Sequence, residues 1–161
     1  MAKKGAEKKN EGPRSIQNRR ARYDYHIEDT SEAGIELVGA EVKSIFLGRA
    51  NLTDAYCRVI NGQLFLLNLD IDPYDKAVVA FMPNRRRDRR LLMHRKEINT
   101  LERKSQEKGF TLLPLSLYFN SRGKVKVQIG LGKGKAQHDK REKIAKDDER
   151  REVDRARSLK F

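Results

Sequence analysis

Ala55-Tyr56-Cys57-Arg58-Val59-Ile60-Asn61-Gly62-Gln63-Leu64-Phe65-Leu66-Leu67 reads as a β-hairpin. Asn-Gly supplies both positive-φ positions of a type I′ turn, whose twist suits two antiparallel strands. Branched and aromatic side chains fill both flanks, as a half-buried pleated surface requires. A hairpin over 55–67 is therefore expected, and an antiparallel β protein around it.

Downstream, Phe110–Phe119 and Lys124–Leu131 flank the polar turn Asn120-Ser121-Arg122-Gly123 and predict another strand pair. Val125, Val127 and Ile129 face one way, and Lys124, Lys126 and Gln128 the other, because strand side chains alternate. Upstream, Tyr23, Tyr25 and Ile27 alternate with polar neighbours, and Gly34-Ile35-Glu36-Leu37-Val38 reads as a further strand. Two helices fit between. Ala40–Leu47 carries Val42, Ile45 and Phe46 at helical spacing and stops at Gly48. Leu91, Leu92, Ile98 and Leu101 fit one helix face between a cap at Asp88 and a stop at Gly109. Six short strands and about two packed helices in so few residues predict a mainly β fold. The expected form is a small antiparallel six-stranded barrel of the OB-like kind.

Composition divides the chain into a flexible basic arm (1–20), the barrel (21–133) and a basic tail (134–161). The arm holds almost no apolar residue and cannot offset its ordering entropy. From residue 132 onward eleven cationic side chains face seven acidic ones, a net of +4. Glu, Lys, Arg and Ala favour helix there. Yet Ile144, Val153, Leu159 and Phe161 make no continuous apolar stripe, and a helix with no face to bury is marginal. The tail is expected to be disordered when free and helical when it lies against RNA.

Charge carries the functional reading. The chain has 36 Lys+Arg against 23 Asp+Glu, net +13. Such a cation is drawn to polyanions, because bound Lys and Arg release the counterions condensed on phosphates. The cationic groups fall in the arm, in Asn18-Arg19-Arg20-Ala21-Arg22, in Arg85–Arg90 and in the tail. That spread suits several phosphate stretches of a folded RNA, although the 85–90 run is also readable as a solvated loop. No stretch is long and apolar enough for a membrane span, the run Val78–Met82 being only strand-sized. The amino terminus lacks the apolar stretch of a secretory signal, so a cytoplasmic location is expected.

Catalytic and metal chemistry are not indicated. Cys57, the one cysteine, lies in an apolar strand pattern and is expected to pack. His26, His94 and His138 share no ligand spacing, so no metal or cofactor is expected. Gly130-Leu131-Gly132-Lys133-Gly134-Lys135 has the wrong gap for a phosphate loop, and Ala136 replaces the Ser or Thr that would hold magnesium. It reads as flexible backbone beside two lysines.

Five stretches together resemble the SsrA-binding protein (small protein B) family. They are NRRARYDYHIED (18–29), EAGIELVGAEVKSIFLGRANLTDAY (32–56), RRLLMHRKEI (89–98), GFTLLPLSLYF (109–119) and KVQIGLGKGKAQHDKRE (126–142). The resemblance implies an OB-like barrel that binds the transfer-RNA-like end of transfer-messenger RNA for trans-translation. It implies delivery of that RNA to stalled ribosomes, a stand-in for the missing codon–anticodon pair, and a tail in the vacant mRNA channel. Alanyl-tRNA synthetase and elongation factor Tu are implied as partners through the RNA. A non-enzymatic monomer is expected.

Carried over by residue, the resemblance points to Glu32, Leu92 and Lys126 in the RNA-binding body, with Lys43, Arg49 and Asn51 added by motif. Arg19, Arg20, Lys133 and Lys135 suit phosphate contacts. His138, Asp139, Lys140 and Arg141 match the tail motif that acts in the ribosomal decoding centre, where His138 would stack on a base. From the residues alone, Leu92 serves equally as core and Glu32 as a partner for a basic neighbour. Ala136 departs from the family, in which many relatives carry lysine. Two other readings stand beside this one: a structural ribosomal or initiation-type OB-fold RNA-binding protein, and a basic-tailed protein with an acidic protein partner.

Overall fold

The computed structural model describes residues 12–77, 82–135 and 137–158, with side chains throughout these except at 137–143. Val78–Phe81, most of the apolar run noted above, lies outside the described residues, as do Ala136 and the first eleven positions.

The hairpin forms as its turn dictates. Asn61 (φ 51°) and Gly62 (φ 74°) both sit in the left-handed region. They pair strand Tyr56–Ile60 with strand Gln63–Leu67, Ile60 opposite Gln63. In chain order the elements are β1 (Ile16–Gln17), α1 (Arg19–Asp24), β2 (Tyr25–Ile35), α2 (Gly39–Phe46), β3 (Ala50–Asn51), the hairpin strands β4 and β5, and β6 (Asp70–Ile71). There follow β7 (Arg89–Leu92), α3 (Arg95–Ser105), β8 (Phe110–Phe119), β9 (Val125–Gly134) and α4 (Gln137–Ser158).

The main sheet runs β1-β8-β4-β5-β7-β2-β9, and β9 also pairs with β8. That last pairing closes a barrel of six strands: β8, β4, β5, β7, β2 and β9. The core inside it is aliphatic, with Leu64, Leu66, Leu91, Leu117 and Val127 buried to 1% exposure or less, while Leu115 packs with Ala21 and Leu113 in a second cluster under α1. Each such side chain contributes on the order of 1.5–3 kcal/mol by leaving water. Cys57 packs in the same core, where burial pushes its thiol up, out of reach of ordinary deprotonation.

Six barrel strands match the expected number, but the membership differs. Tyr25–Ile35 is one continuous strand with a bulge between Ile27 and Asp29, and Tyr23 belongs to α1. The place left over is filled by Arg89–Leu92, expected in a helix. Here Arg89 and Leu91 point in and Arg90 and Leu92 point out, the period of a strand. The helix begins only at Arg95, with His94 and not Asp88 at its N-cap. The ordered body also starts upstream of residue 21. Ile16 pairs with Leu117, and the buried Asn18 caps α1 while its amide donates to the carbonyls of Leu52 (3.2 Å) and Pro114 (2.9 Å).

Gly130 and Gly132, read above as flexible, are strand residues of β9. A Cβ on Gly130 would lie 2.9 Å from Leu115 Cδ1. Glycine is there to leave room for the Leu115 side chain of the second cluster.

Candidate nucleic-acid interface

Strand register places the outward side chains. Gly34 of β2 lies opposite Leu92 of β7 on one side and Lys126 of β9 on the other. Lys126 in turn lies opposite Tyr118 of β8. One row across four strands thus reads Leu92, Gly34, Lys126, Tyr118. The adjacent row reads Glu32, Gln128, Ser116. Residues two apart share a face, so Glu32, Leu92 and Lys126 meet on the outside of the barrel. Leu92 is not core: it is 47% exposed, and Gly34 leaves room beside it, since a Cβ there would lie 3.3 Å from that of Leu92.

The Tyr118 hydroxyl donates to Glu32 Oε2 across β9. Burial, and then the Glu32 carboxylate, push the phenol up to about 12. It stays a donor at every physiological pH and holds one carboxylate oxygen in place. Beyond Leu92 and Lys126 the surface opens into a groove of about 460 Å³, with Ile35, Leu37 and Val42 on its apolar floor and Arg122 and Lys124 beside it. An apolar trough edged with cations accepts unstacked bases and backbone phosphates together.

A second basic region lies at the other end of the barrel. Lys126 and Gly134 are eight residues apart along β9, roughly 27 Å at ~3.4 Å per residue. There Lys133 stands over the Phe110 ring at 5.8 Å. The Lys135 backbone N–H donates to the Asp24 carbonyl (2.9 Å) and its Nζ to the Arg22 carbonyl (3.1 Å). Those bonds fasten the root of the tail to α1, whose Arg19 and Arg20 are exposed. Arg20 pairs with Asp24 at 3.3 Å.

Each arginine of the 85–90 run has a carboxylate partner. Arg85 pairs with Asp70 (3.0 Å) and Asp72, and Arg86 reaches Asp70 at 3.7 Å. Arg87 pairs with Glu41 (2.5 Å), and Arg90 lies 4.0 Å from Glu36. Arg89 is 0% exposed and Glu41 3%. The Arg89 guanidinium gives Nε (2.7 Å) and Nη2 (2.5 Å) to Glu41 Oε2, and its remaining protons to the carbonyls of Leu69, Arg87 and Arg85. Burial alone would raise the Glu41 carboxyl. Donation from Arg87, the Val38 amide and Arg89 outweighs it and holds Glu41 below its ordinary value.

Against known proteins, the SmpB protein model matches residues 15–159. The chain belongs to the SmpB family. An SsrA-binding protein of Symbiobacterium thermophilum is 54% identical over 140 residues, 87% of this chain and 88% of the relative. That of Thermobifida fusca is 49% identical over 158 residues, 97% of each chain. A solved structure concerning tmRNA–SmpB at the centre of the bacterial ribosome has TM-score 0.66 and 47% identity, covering 76% of this chain and 85% of that one. These names are those of an RNA-binding protein, not of an enzyme.

The other residues that the SmpB resemblance marked lie elsewhere. Lys43 of α2 stands 5.3 Å from the Tyr74 ring, and Arg49 pairs with Asp75 at 3.0 Å. Asn51 accepts from the Thr53 amide (2.8 Å) and shapes its own turn. These three border the small β3–β6 sheet. The backbone of His138, Asp139, Lys140 and Arg141 is helical within α4, and their side chains lie outside the description. Every described side chain from Ile144 to Ser158 is exposed. Among described residues no helix is long and apolar enough to cross a membrane. Tyr118 and Gly34 escaped the sequence reading: alternation in β8 turns Tyr118 outward, but only the register set by the 120–123 turn puts it beside Lys126.

Proposed function

We propose that this chain binds transfer-messenger RNA and serves trans-translation as a two-ended adaptor. The observation that carries this reading is the separation along β9. The exposed Leu92 and Glu32 and the half-buried Lys126 sit at one end and the tail root at the other. The groove end takes the transfer-RNA-like part of the RNA, with Leu92 against an unstacked base or ribose and Lys126 on phosphate. Glu32 accepts from a base N–H. Lys43, Arg49 and Asn51 make a separate RNA contact beside the β3–β6 sheet.

The opposite end, with Arg19, Arg20, Lys133 and Lys135, faces the small ribosomal subunit. The tail from 134 enters the vacant mRNA channel, disordered in the free protein and helical there, with His138, Asp139, Lys140 and Arg141 in the decoding centre. The segment before Ile16 acts as a basic arm, and the body from β1 to β9 binds RNA. Alanyl-tRNA synthetase and elongation factor Tu act through the RNA. The protein works as a cytoplasmic monomer. The SsrA-binding names of the relatives favour this reading over that of a structural ribosomal protein.

The expected binding is electrostatic in large part. With about three to five phosphate contacts, tmRNA affinity falls roughly 20- to 500-fold between about 50 and 200 mM salt. A filter-binding series checks this, and a flat response, or equal affinity for an unrelated hairpin, sinks the reading. Tyr118→Phe keeps the ring and removes the donor to Glu32. It is expected to weaken tmRNA binding by roughly 5- to 10-fold, about 1 kcal/mol for one hydrogen bond to a charged acceptor, with the melting temperature little changed. Unaltered affinity would show that Tyr118 does not hold Glu32 for RNA.

A further inference from the structure

The tail-root end carries a second concavity, of about 370 Å³, whose lining includes Arg20, Tyr25, Thr53, Asp54, Tyr56 and Thr111. Its chemistry differs from that of the groove. Arg20 is neutralised by Asp24, also on the wall. Asp54 is exposed, and its carboxylate has no hydrogen bond or ion pair among the described residues. The lining is thus net acidic, and the exposed Arg19 adjoins the wall residues Asn18 and Arg20 along α1. An acidic interior repels phosphate, while the adjoining arginine attracts it.

Two tyrosines share the wall. Tyr56, the first residue of β4, is 40% exposed, and Tyr25 is half-buried. Their rings make no contact with one another; the aromatic pair recorded among the described residues is Phe46 with Phe119. An exposed tyrosine face offers a stacking platform for a splayed-out base. Thr53 and Thr111 add hydroxyls, each able to donate or accept.

We propose that this concavity receives one unpaired guanine of a folded RNA. The base stacks on Tyr56, and Asp54 accepts from the guanine N1 and N2 protons together. The flanking phosphates lie outside, beside Arg19. Guanine is singled out because its Watson–Crick edge offers a carboxylate two parallel N–H donors, whereas uracil offers one. Tail-borne contacts and the Leu92–Lys126 groove take no part, so this site stands whether or not the far end binds tmRNA.

The test titrates the full chain with guanosine 5′-monophosphate and uridine 5′-monophosphate while following backbone amide shifts. Guanosine monophosphate is expected to move Thr53, Asp54, Tyr56 and Thr111 and to bind about tenfold more tightly, the low end of what a two-pronged base contact supplies. Asp54→Asn, an isosteric surface change, should bring the two nucleotides level. Equal affinities in the unaltered chain, shifts confined to the tail or the far groove, or a preference that survives Asp54→Asn each overturn the proposal. Two further arms identify the source. Tyr56→Ala should lower affinity about tenfold for either isolated small ribosomal subunits or tmRNA, and whichever responds carries the guanine. Loss toward neither overturns the site.

Discussion

Replacing Glu41 with alanine lowers the melting temperature of the barrel by roughly 10–20 °C, corresponding to about 3–5 kcal/mol. The cause is the charge left behind. Arg89 is fully buried, and Glu41 is the one acidic group among the described residues that its Nε and Nη2 reach. Arg87 can turn to water; Arg89 cannot, because three carbonyls and the barrel wall hold it. A buried pair contributes little net stability when formed, yet costs several kcal/mol when one member is removed. Glu41→Leu combined with Arg89→Met should therefore recover most of the loss. Thermal melts of the single and double variants check both statements, and a single variant within about 1 kcal/mol of the parent would refute the account.

The same pair fixes an acid limit. The folded Glu41 titrates below its ordinary value of 4.5. The unfolded chain therefore takes up a proton first as pH falls. The stabilisation is complete above about pH 4.5 and is lost as pH drops through the folded value. Glu41→Gln should flatten that acid limb.

Cutting the chain after Lys135 should abolish peptide tagging on stalled ribosomes, a fall of at least about 100-fold, and leave tmRNA affinity within roughly threefold. The truncation spares the Lys135 amide that bonds to Asp24 and both rows of the groove face. It removes α4, whose described side chains are exposed from Ile144 to Ser158; deleting surface that packs on nothing changes stability by only about 0.5 kcal/mol. Binding assays and an in vitro tagging reaction on the same sample separate the two functions. Normal tagging by the shortened chain would refute the division of labour.

Local chemistry was legible in the sequence and long-range pairing was not. Asn61-Gly62 fixed its hairpin because turn type depends on two residues. Gly48 (φ 76°) likewise marked the end of α2. Leu91 and Leu92 fitted a helix face and a strand equally well; the choice was made by β5 and β2, which flank them in the sheet. The pairing of the arginine run was hidden because the carboxylate that neutralises Arg89 lies 48 positions away, on α2. Leu92 was ambiguous for the same reason, since its exposure depends on a glycine in another strand. The resemblance named Glu32, Leu92 and Lys126, and register brought them together.

Strand β1 bears on how the molecule is made. Ile16 emerges early from the translating ribosome, but its partner Leu117 is 101 positions later. At ~5–20 residues per second that interval is about 5–20 s. Throughout it the N-terminal strand has nothing to pair with, and β8, which must also meet β4 and β9, has yet to be completed. The barrel is therefore sealed late in synthesis, by the segment just ahead of the tail. A chain released prematurely before Leu117 would lack the strand on which both edges of the sheet converge, leaving a fragment suited to proteolytic clearance.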